Sequence, residues 1–167
     1  QTNVNCNGGT TGAATVGVAG GSGTYVYTWI GSNSTTATAS SLAAGAYTVS
    51  VVDNNGCPDD GDITFTITQL DDLVTTNSSQ TNVNCNGGTT GAATVGVAGG
   101  NGTYTYTWSH DAGNNTATAT GLAAGAYTVS VVDGLGCADD GDITFTITQS
   151  ALVVASGTIT HVDCNGN

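Results

Sequence analysis

The chain has 167 residues and a formal net charge of -12, because it contains 12 acidic residues and no lysine or arginine. Without cationic side chains it cannot neutralise phosphates, which argues against nucleic-acid binding and against a nucleotide-dependent enzyme. Anionic membrane surfaces should repel it for the same reason. Hydrophobic residues make up 38% of the chain, which is enough to build packed cores.

In the first half of the chain, three runs of residues have apolar side chains at every second position. This period is typical of strands with one buried face, and no segment shows the period of an amphipathic helix. Val26 is replaced by Thr105 in a second copy of the sequence, which marks the intervening positions as solvent-facing. Because glycine-rich turns separate the runs, we predict an antiparallel β-sandwich. The predicted inward residues are Tyr25, Tyr27, Trp29, Tyr47, Val49, Val51, Ile63, Phe65 and Ile67.

The segment Leu42-Ala-Ala-Gly-Ala-Tyr47, which recurs at residues 122–127, places a tyrosine at the start of a strand just after a turn glycine. This arrangement resembles the tyrosine corner of Greek-key sandwiches, in which the hydroxyl group bonds to nearby backbone. In the alternative interpretation, Tyr47 and Tyr127 are core aromatic residues without that bond.

An internal repeat determines the domain organisation. Residues 1–21 recur unchanged as residues 80–100, and Cys6, Cys85 and Cys164 are 79 residues apart. A period of this length corresponds to a whole domain and not to a solenoid unit. The architecture expected is therefore a row of similar domains.

An apolar pair, Leu73-Val74, follows the last strand of the first copy, and we interpret it as the opening strand of the next domain. Its counterpart near the end of the chain is formed by Leu152, Val153 and Val154. That segment belongs either to a continuing array or to a neighbouring subunit that it completes by donor-strand addition. The predicted domains are residues 1–69, a repeat lacking its first strand; residues 70–149, a complete repeat; and residues 150–167, the first strand of a following repeat.

The combination of motifs in both copies resembles the SprB repeat. The motifs are VxCNGGxxGxATVxVxGGxGxYxYTW, then TATAxxLAAGAYTVSVVDxxGC, then DITFTITQ. The resemblance implies immunoglobulin-like domains in long tandem arrays, found in secreted surface proteins of gliding and related Bacteroidota that serve attachment, gliding or matrix formation. The fold class expected is all-β, with tandem immunoglobulin-like antiparallel β-sandwich domains of Greek-key type and about 79 residues per repeat.

Five cysteines in a chain of exported type favour disulfides. We predict pairing within repeats, as Cys6–Cys57 and Cys85–Cys137, if the two cysteines of a repeat lie at the same end of a sandwich. Cys164 would then pair with a cysteine of the next repeat or subunit. Pairing between repeats, as Cys57–Cys85 and Cys137–Cys164, stays open as the alternative. Either arrangement closes loops that stabilise the fold by about 3 to 4 kcal/mol each.

Each repeat carries several carboxylates on a glycine-containing loop with no cation nearby. A bound Ca²⁺ ion would relieve their repulsion, although the spacing is not that of an EF-hand loop. In the alternative interpretation, the loop is a solvated acidic turn that keeps strand edges unpaired. The candidate calcium ligands are Asp53, Asp59, Asp60, Asp62, Asp133, Asp139, Asp140 and Asp142.

Other candidate sites are weaker. Ser109-His110-Asp111 contains the residue types of a catalytic triad, but a triad is assembled by the fold and not by adjacency. Trp29 and Trp108 could stack on sugars if they were exposed, whereas the alternation predicts that they point inward. The outward threonines of the strands suit half-exposed positions. Candidate glycosylation sites are Asn33, Asn77, Asn101 and Asn114.

From the sequence we therefore expect a structural repeat segment of a secreted extracellular filament, stalk or adhesin at the cell surface, and not an enzyme. No cofactor is required, and Ca²⁺ is the one candidate ion. The expected partners are neighbouring repeats or subunits in a head-to-tail filament and surface glycans, with no nucleic acid and no direct membrane insertion. The alternative function is a carbohydrate- or ice-binding module that uses loops or threonine-rich strand faces.

Overall fold

A computed structural model describes residues 1–111 and 113–158, and every regular element within them is a β-strand. This architecture confirms the predicted all-β fold class. Nowhere in these ranges is there a helix with the length and hydrophobicity that a membrane crossing requires. The strands are β1 (Gly12–Thr15), β2 (Tyr25–Ile30), β3 (Thr38–Leu42), β4 (Gly45–Asp53), β5 (Ile63–Ile67), β6 (Val74–Thr81), β7 (Gly91–Ala98), β8 (Tyr104–Trp108), β9 (Thr118–Leu122), β10 (Gly125–Asp133) and β11 (Ile143–Ile147).

The strands form two sandwiches, each built from two antiparallel sheets. The first sandwich packs β1–β3 against β2–β4–β5, and the second packs β6–β7–β9 against β8–β10–β11. In the second sandwich, β6 pairs with β7 from Val74 opposite Ala98 onwards. Among the described residues, the first sandwich has no counterpart of β6 beyond a bridge between Thr2 and Ala13. Strand β1 accordingly has 4 residues where β7 has 8.

The alternating aromatic residues lie inside the sandwiches, as predicted. Trp29 and Trp108 are 6% and 1% exposed, and each indole N–H donates a hydrogen bond of 2.9 Å to a backbone carbonyl. Each indole also packs against a phenylalanine, Phe65 or Phe145, at a ring distance of 5.8 Å. Full burial of one large apolar side chain contributes about 1.5–3 kcal/mol, so each sandwich has a core of its own.

The predicted tyrosine corner is confirmed in both sandwiches. The Tyr47 hydroxyl donates to the carbonyl oxygen of Ala43 at 3.1 Å, and the Tyr127 hydroxyl donates to that of Ala123 at the same distance. Each bond ties the start of a long central strand to the turn that precedes it. The turn thereby sets the point at which the chain crosses from one sheet to the other.

The direction of the strands determines where the loops lie. Strand β1 begins where β5 ends, since a Cβ atom on Gly12 would lie 2.7 Å from the Cγ2 atom of Ile67. Strand β4 is antiparallel to β2 and β5, and β1 is antiparallel to β3. Strands β2 and β3 therefore run in the same direction, and residues 31–37 cross the length of the sandwich between them. This crossing places the loop before β1 and the turn after β4 at opposite ends.

Candidate functional site

The loop that carries the first cysteine of each repeat lies against the residues that leave the sandwich. In the first repeat, the side-chain amide of Asn7 donates to the carbonyl oxygen of Leu70 at 3.1 Å. The backbone N–H of Gly8 donates to the side-chain oxygen of Gln69 at 3.0 Å. The corresponding loop of the second repeat makes both contacts again. Cys6 is thereby held at the end of the first sandwich that faces the second.

The turn that carries the second cysteine of each repeat is organised by a buried aspartate. Asp133 is 4% exposed and accepts hydrogen bonds from the backbone N–H groups of Leu135 and Cys137, both at 2.9 Å. Its other oxygen accepts from the N–H of Asn101 at 3.0 Å. Asp53 makes the corresponding three bonds in the first sandwich. These carboxylates fix the backbone that presents the cysteine.

The same hydrogen bonds keep both carboxylates charged. At Asp53, the N–H of Cys57 has the largest effect and lowers the pKa below its usual value, while burial opposes the shift. At Asp133, burial is the largest single effect and raises the pKa, but the N–H groups of Cys137, Leu135 and two neighbours together lower it below its usual value. A hydrogen bond to the charged form favours that form, so each turn contains a stabilised buried anion.

A disulfide between Cys6 and Cys137 joins the two sandwiches. Their Cα atoms are 5.5 Å apart, and the two residues are separated by 131 positions in the sequence. The Cα distance lies inside the range of roughly 4.4–6.8 Å that disulfides adopt. The bond borders a cavity of about 200 Å³ that both cysteine loops and residues 70–73 line. A second covalent link therefore runs beside the chain connection.

This bond contradicts the predicted pairs Cys6–Cys57 and Cys85–Cys137. The two cysteines of one repeat flank opposite ends of its last strand, and a strand of 5 residues spans about 17 Å, which is too far for a disulfide. The alternative set also fails, because it pairs Cys137 with Cys164. Cys57 and Cys85 are free and exposed, and Cys164 lies outside the described residues.

The connection beside the disulfide is closely packed. Leu73 is 2% exposed, and the hydroxyl of Thr75 donates to a carboxylate oxygen of Asp139 at 2.8 Å. A Cβ atom on Gly99 would overlap the carbonyl oxygen of Asp72. Gly99 also has a φ angle of 77°, so both the space and the backbone conformation require glycine there. The second sandwich therefore holds the incoming chain tightly.

The candidate calcium ligands do not form one cluster. Among the described residues, no three aspartate, cysteine or histidine side chains come together in a group that could hold a metal ion. Asp53 and Asp133 are already occupied by backbone N–H groups. Calcium binding therefore stays a prediction. The half-buried candidates are Asp59 and Asp139, and the exposed ones are Asp60, Asp62, Asp140 and Asp142.

The remaining sequence candidates are dispersed over the surface or buried. Because Trp29 and Trp108 are buried, neither indole is available to stack on a sugar. The ring of His110 packs edge-on against Tyr127 at 5.0 Å. The threonine faces of β5 and β11 are exposed, and the hydroxyl groups of Thr64 on β5 and Thr48 on β4 are hydrogen-bonded to each other. Of the candidate glycosylation sites, Asn33, Asn77 and Asn101 are exposed and Asn114 is half-buried.

A family model for the SprB repeat matches residues 1–34 and, again, residues 77–113. Each copy of the internal repeat thus contains a segment that matches the SprB repeat. Each SprB match contains the loop of the first cysteine and ends shortly after β2 or β8. The match supports an extracellular repeat-type domain. No protein with a curated description matches the chain.

Solved structures share the sandwich architecture. The chain is 20% identical to the three N-terminal domains of the bacteriophage RB49 highly immunogenic outer capsid protein, with a TM-score of 0.52, and covers 89% of its own length and 57% of theirs. It is 16% identical to a C-terminal intimin fragment, with a TM-score of 0.42 and coverages of 74% and 51%. It is also 16% identical to the amphioxus IgVJ-C2 molecule, with a TM-score of 0.39 and coverages of 84% and 97%. The first likeness shows a shared fold and nothing beyond it.

Proposed function

We propose that the chain is a tension-bearing segment of an extracellular filament, stalk or adhesin, in which disulfides join successive SprB repeats. The observation that carries this proposal is the Cys6–Cys137 bond between the two sandwiches. A row of domains under tension yields where a connection extends or where a domain unfolds. A covalent link beside the connection opposes both events.

The position of the bond supports this role. Strands β1 to β10 all lie between Cys6 and Cys137 in the sequence. A force applied to the two ends of the chain passes from Cys6 directly to Cys137, so these ten strands are not pulled. Only the residues outside that loop, which include β11, can be extended while the bond is intact.

Composition supports an exposed, durable role as well. The chain has no lysine or arginine, so proteases that cut after basic residues find no site. Its charge of -12 makes copies repel one another except where specific contacts form. Each of these properties suits a protein that stands away from the cell in an unprotected environment.

Immunogold labelling of intact cells that produce the protein tests the proposal. We expect label along extended material outside the cell, and shear should shorten this material in a Cys6→Ser variant. Thr10→Ser, an exposed change in the same loop, is the matched control and should leave its length unchanged. Label that appears only after the cells are permeabilised would contradict the proposal.

A further inference from the structure

The cavity beside the Cys6–Cys137 disulfide has a negatively charged lining. We call this space of about 200 Å³ between the two sandwiches the junction cavity. Three of the residues that line it carry carboxylates, namely Asp71, Asp72 and Asp133. The chain has no lysine or arginine to balance them, and among the described residues no histidine lines the cavity. A molecule that reaches the disulfide from this side therefore meets only negative charge.

The three carboxylates are held in place and charged. Asp71 and Asp72 are exposed, and exposed carboxylates are ionised at neutral pH. Their position is fixed by the backbone, since the carbonyl oxygen of Asp71 accepts a hydrogen bond from the N–H of Gly100 at 3.1 Å. Asp133 is 4% exposed, and backbone donors such as the N–H of Cys137 at 2.9 Å stabilise its charged form.

The two sulfur atoms of the disulfide differ in their access to solvent. Cys137 is 9% exposed, whereas Cys6 is half-buried, so an incoming thiol attacks the sulfur of Cys6. Cys137 is then the leaving group, and it departs as a thiolate. This thiolate forms beside the Asp133 carboxylate, which is bonded to the N–H of the same cysteine. Negative charge is therefore disfavoured both on the attacking thiol and on the departing one.

Reduction by a low-molecular-weight thiol takes two steps. The reagent thiolate attacks the sulfur of Cys6, the bond between the two cysteines breaks, and its electron pair leaves with Cys137. A second thiolate attacks the sulfur of the bound reagent, which releases Cys6 and forms the disulfide of the reagent. Two reagent thiols are oxidised, one protein disulfide is reduced, and the two protons pass to the cysteine thiolates.

We propose that the carboxylates of Asp71, Asp72 and Asp133 protect the Cys6–Cys137 disulfide electrostatically, so that its rate of reduction falls with each negative charge that the attacking thiol carries. The repulsion acts through partly exposed surface and is therefore weakened by salt. Thiols that also carry a carboxylate are the class of reductant that is most strongly repelled. This inference rests on the proposed function, since it explains how the bond that bears tension persists in contact with thiols.

A series of three small thiols tests the proposal. As thiolates, cysteamine has no net charge, mercaptoethanol has one negative charge, and mercaptopropionate has two. The chain carries Cys57→Ser, Cys85→Ser and Cys164→Ser, so that only the internal disulfide reacts. The reduced Cys6 and Cys137 are alkylated and counted by mass spectrometry at successive times.

The intrinsic reactivity of each thiol is removed by normalisation. Each rate is divided by the thiolate concentration and by the rate of the same thiol with a small uncharged disulfide. We expect the normalised rate to fall about fivefold for each added negative charge at low salt. At about 1 M salt the three normalised rates should converge, because exposed charges are then screened over a few ångströms.

Two paired variants of equal net charge locate the effect. Asp71→Asn combined with Asp72→Asn should raise the rate with mercaptopropionate about fivefold and the rate with cysteamine much less. Asp60→Asn combined with Asp62→Asn is the matched control, because it removes the same charge from exposed positions near the opposite end of the first sandwich. This control should leave both rates unchanged. Both paired variants should melt like the parent chain, since all four side chains are exposed.

Two results would overturn the proposal. One is a set of normalised rates that does not depend on the charge of the thiol, because the junction cavity would then repel no reagent. The other is an equal rise in rate in the two paired variants, because the effect would then come from net charge and not from the cavity. Either result leaves the proposed function intact, since the disulfide is present in both. Failure of the proposed function would appear separately, as alkylation of Cys6 and Cys137 before any reductant is added.

Discussion

Reduction of the Cys6–Cys137 disulfide should change how far a single molecule extends under tension. The bond closes a loop of 131 residues, and an extended chain gains about 3.5 Å per residue. Cleavage of this one bond should therefore release a total length of about 460 Å. In the chain-entropy model, the same bond stabilises the folded molecule by about 5 kcal/mol relative to the fully unfolded chain.

Optical tweezers with handles at both ends of the chain measure this length at constant force, before and after a reductant is added. The Cys6→Ser variant should reach the full extension without reductant, and Cys57→Ser should behave like the natural chain. Pairing within repeats would instead close residues 6–57 and 85–137 and release about 180 Å in each of two separate cleavage events. Two such events would mean that each disulfide lies within one repeat.

Three further predictions concern the folded repeats. The pKa values of Asp53 and Asp133 in the folded chain lie below the unfolded value near 3.8. The stability that these two carboxylates contribute is therefore complete at neutral pH. It is lost as the pH falls through about 4 and then through the pKa values of the folded state. Asp133→Asn should flatten the dependence of unfolding free energy on pH, measured by denaturant titration, whereas Asp140→Asn at an exposed position should not. If both variants gave the same pH dependence, Asp133 would not be a stabilised anion in the folded chain. Gly96→Val should lower the melting temperature, because its side chain would be overpacked against Thr76 at a cost of about 1–3 kcal/mol. Gly17→Val should leave the melting temperature unchanged, because an added Cβ atom there meets nothing within 4 Å. Equal losses in the two variants would contradict this difference in packing. Calcium binding at the acidic turns predicts a melting temperature that rises with Ca²⁺ and falls with a chelator, and indifference to both would refute it.

The strands could be predicted because their signal is local. A period of two residues separates the face with Tyr47 and Val49 from the solvent face, and the exposed Val26 and buried Trp29 follow the same rule. The tyrosine corner is also local, since the hydroxyl of Tyr47 reaches a carbonyl only four residues away.

The disulfide could not be predicted in this way, because it depends on the end of the sandwich at which each loop lies. Both cysteines of a repeat adjoin glycine-containing turns, so their local sequences do not reveal the end. Residues 31–37 decide at which end each cysteine lies. They run from one end of the sandwich to the other without forming a strand, so the turn after β4 lies at the end opposite the loop before β1. The contact of Gly8 with Gln69 joins loops 61 residues apart and has no signal in either segment alone.

Disulfide mapping of the purified chain shows whether a disulfide joins the two sandwiches. The free thiols are blocked before digestion, and the protease must cut beside aspartate or aromatic residues because the chain has no lysine or arginine. We predict one cross-linked peptide pair that contains Cys6 and Cys137. Peptide pairs that join Cys6 to Cys57 and Cys85 to Cys137 would mean that no disulfide joins the sandwiches.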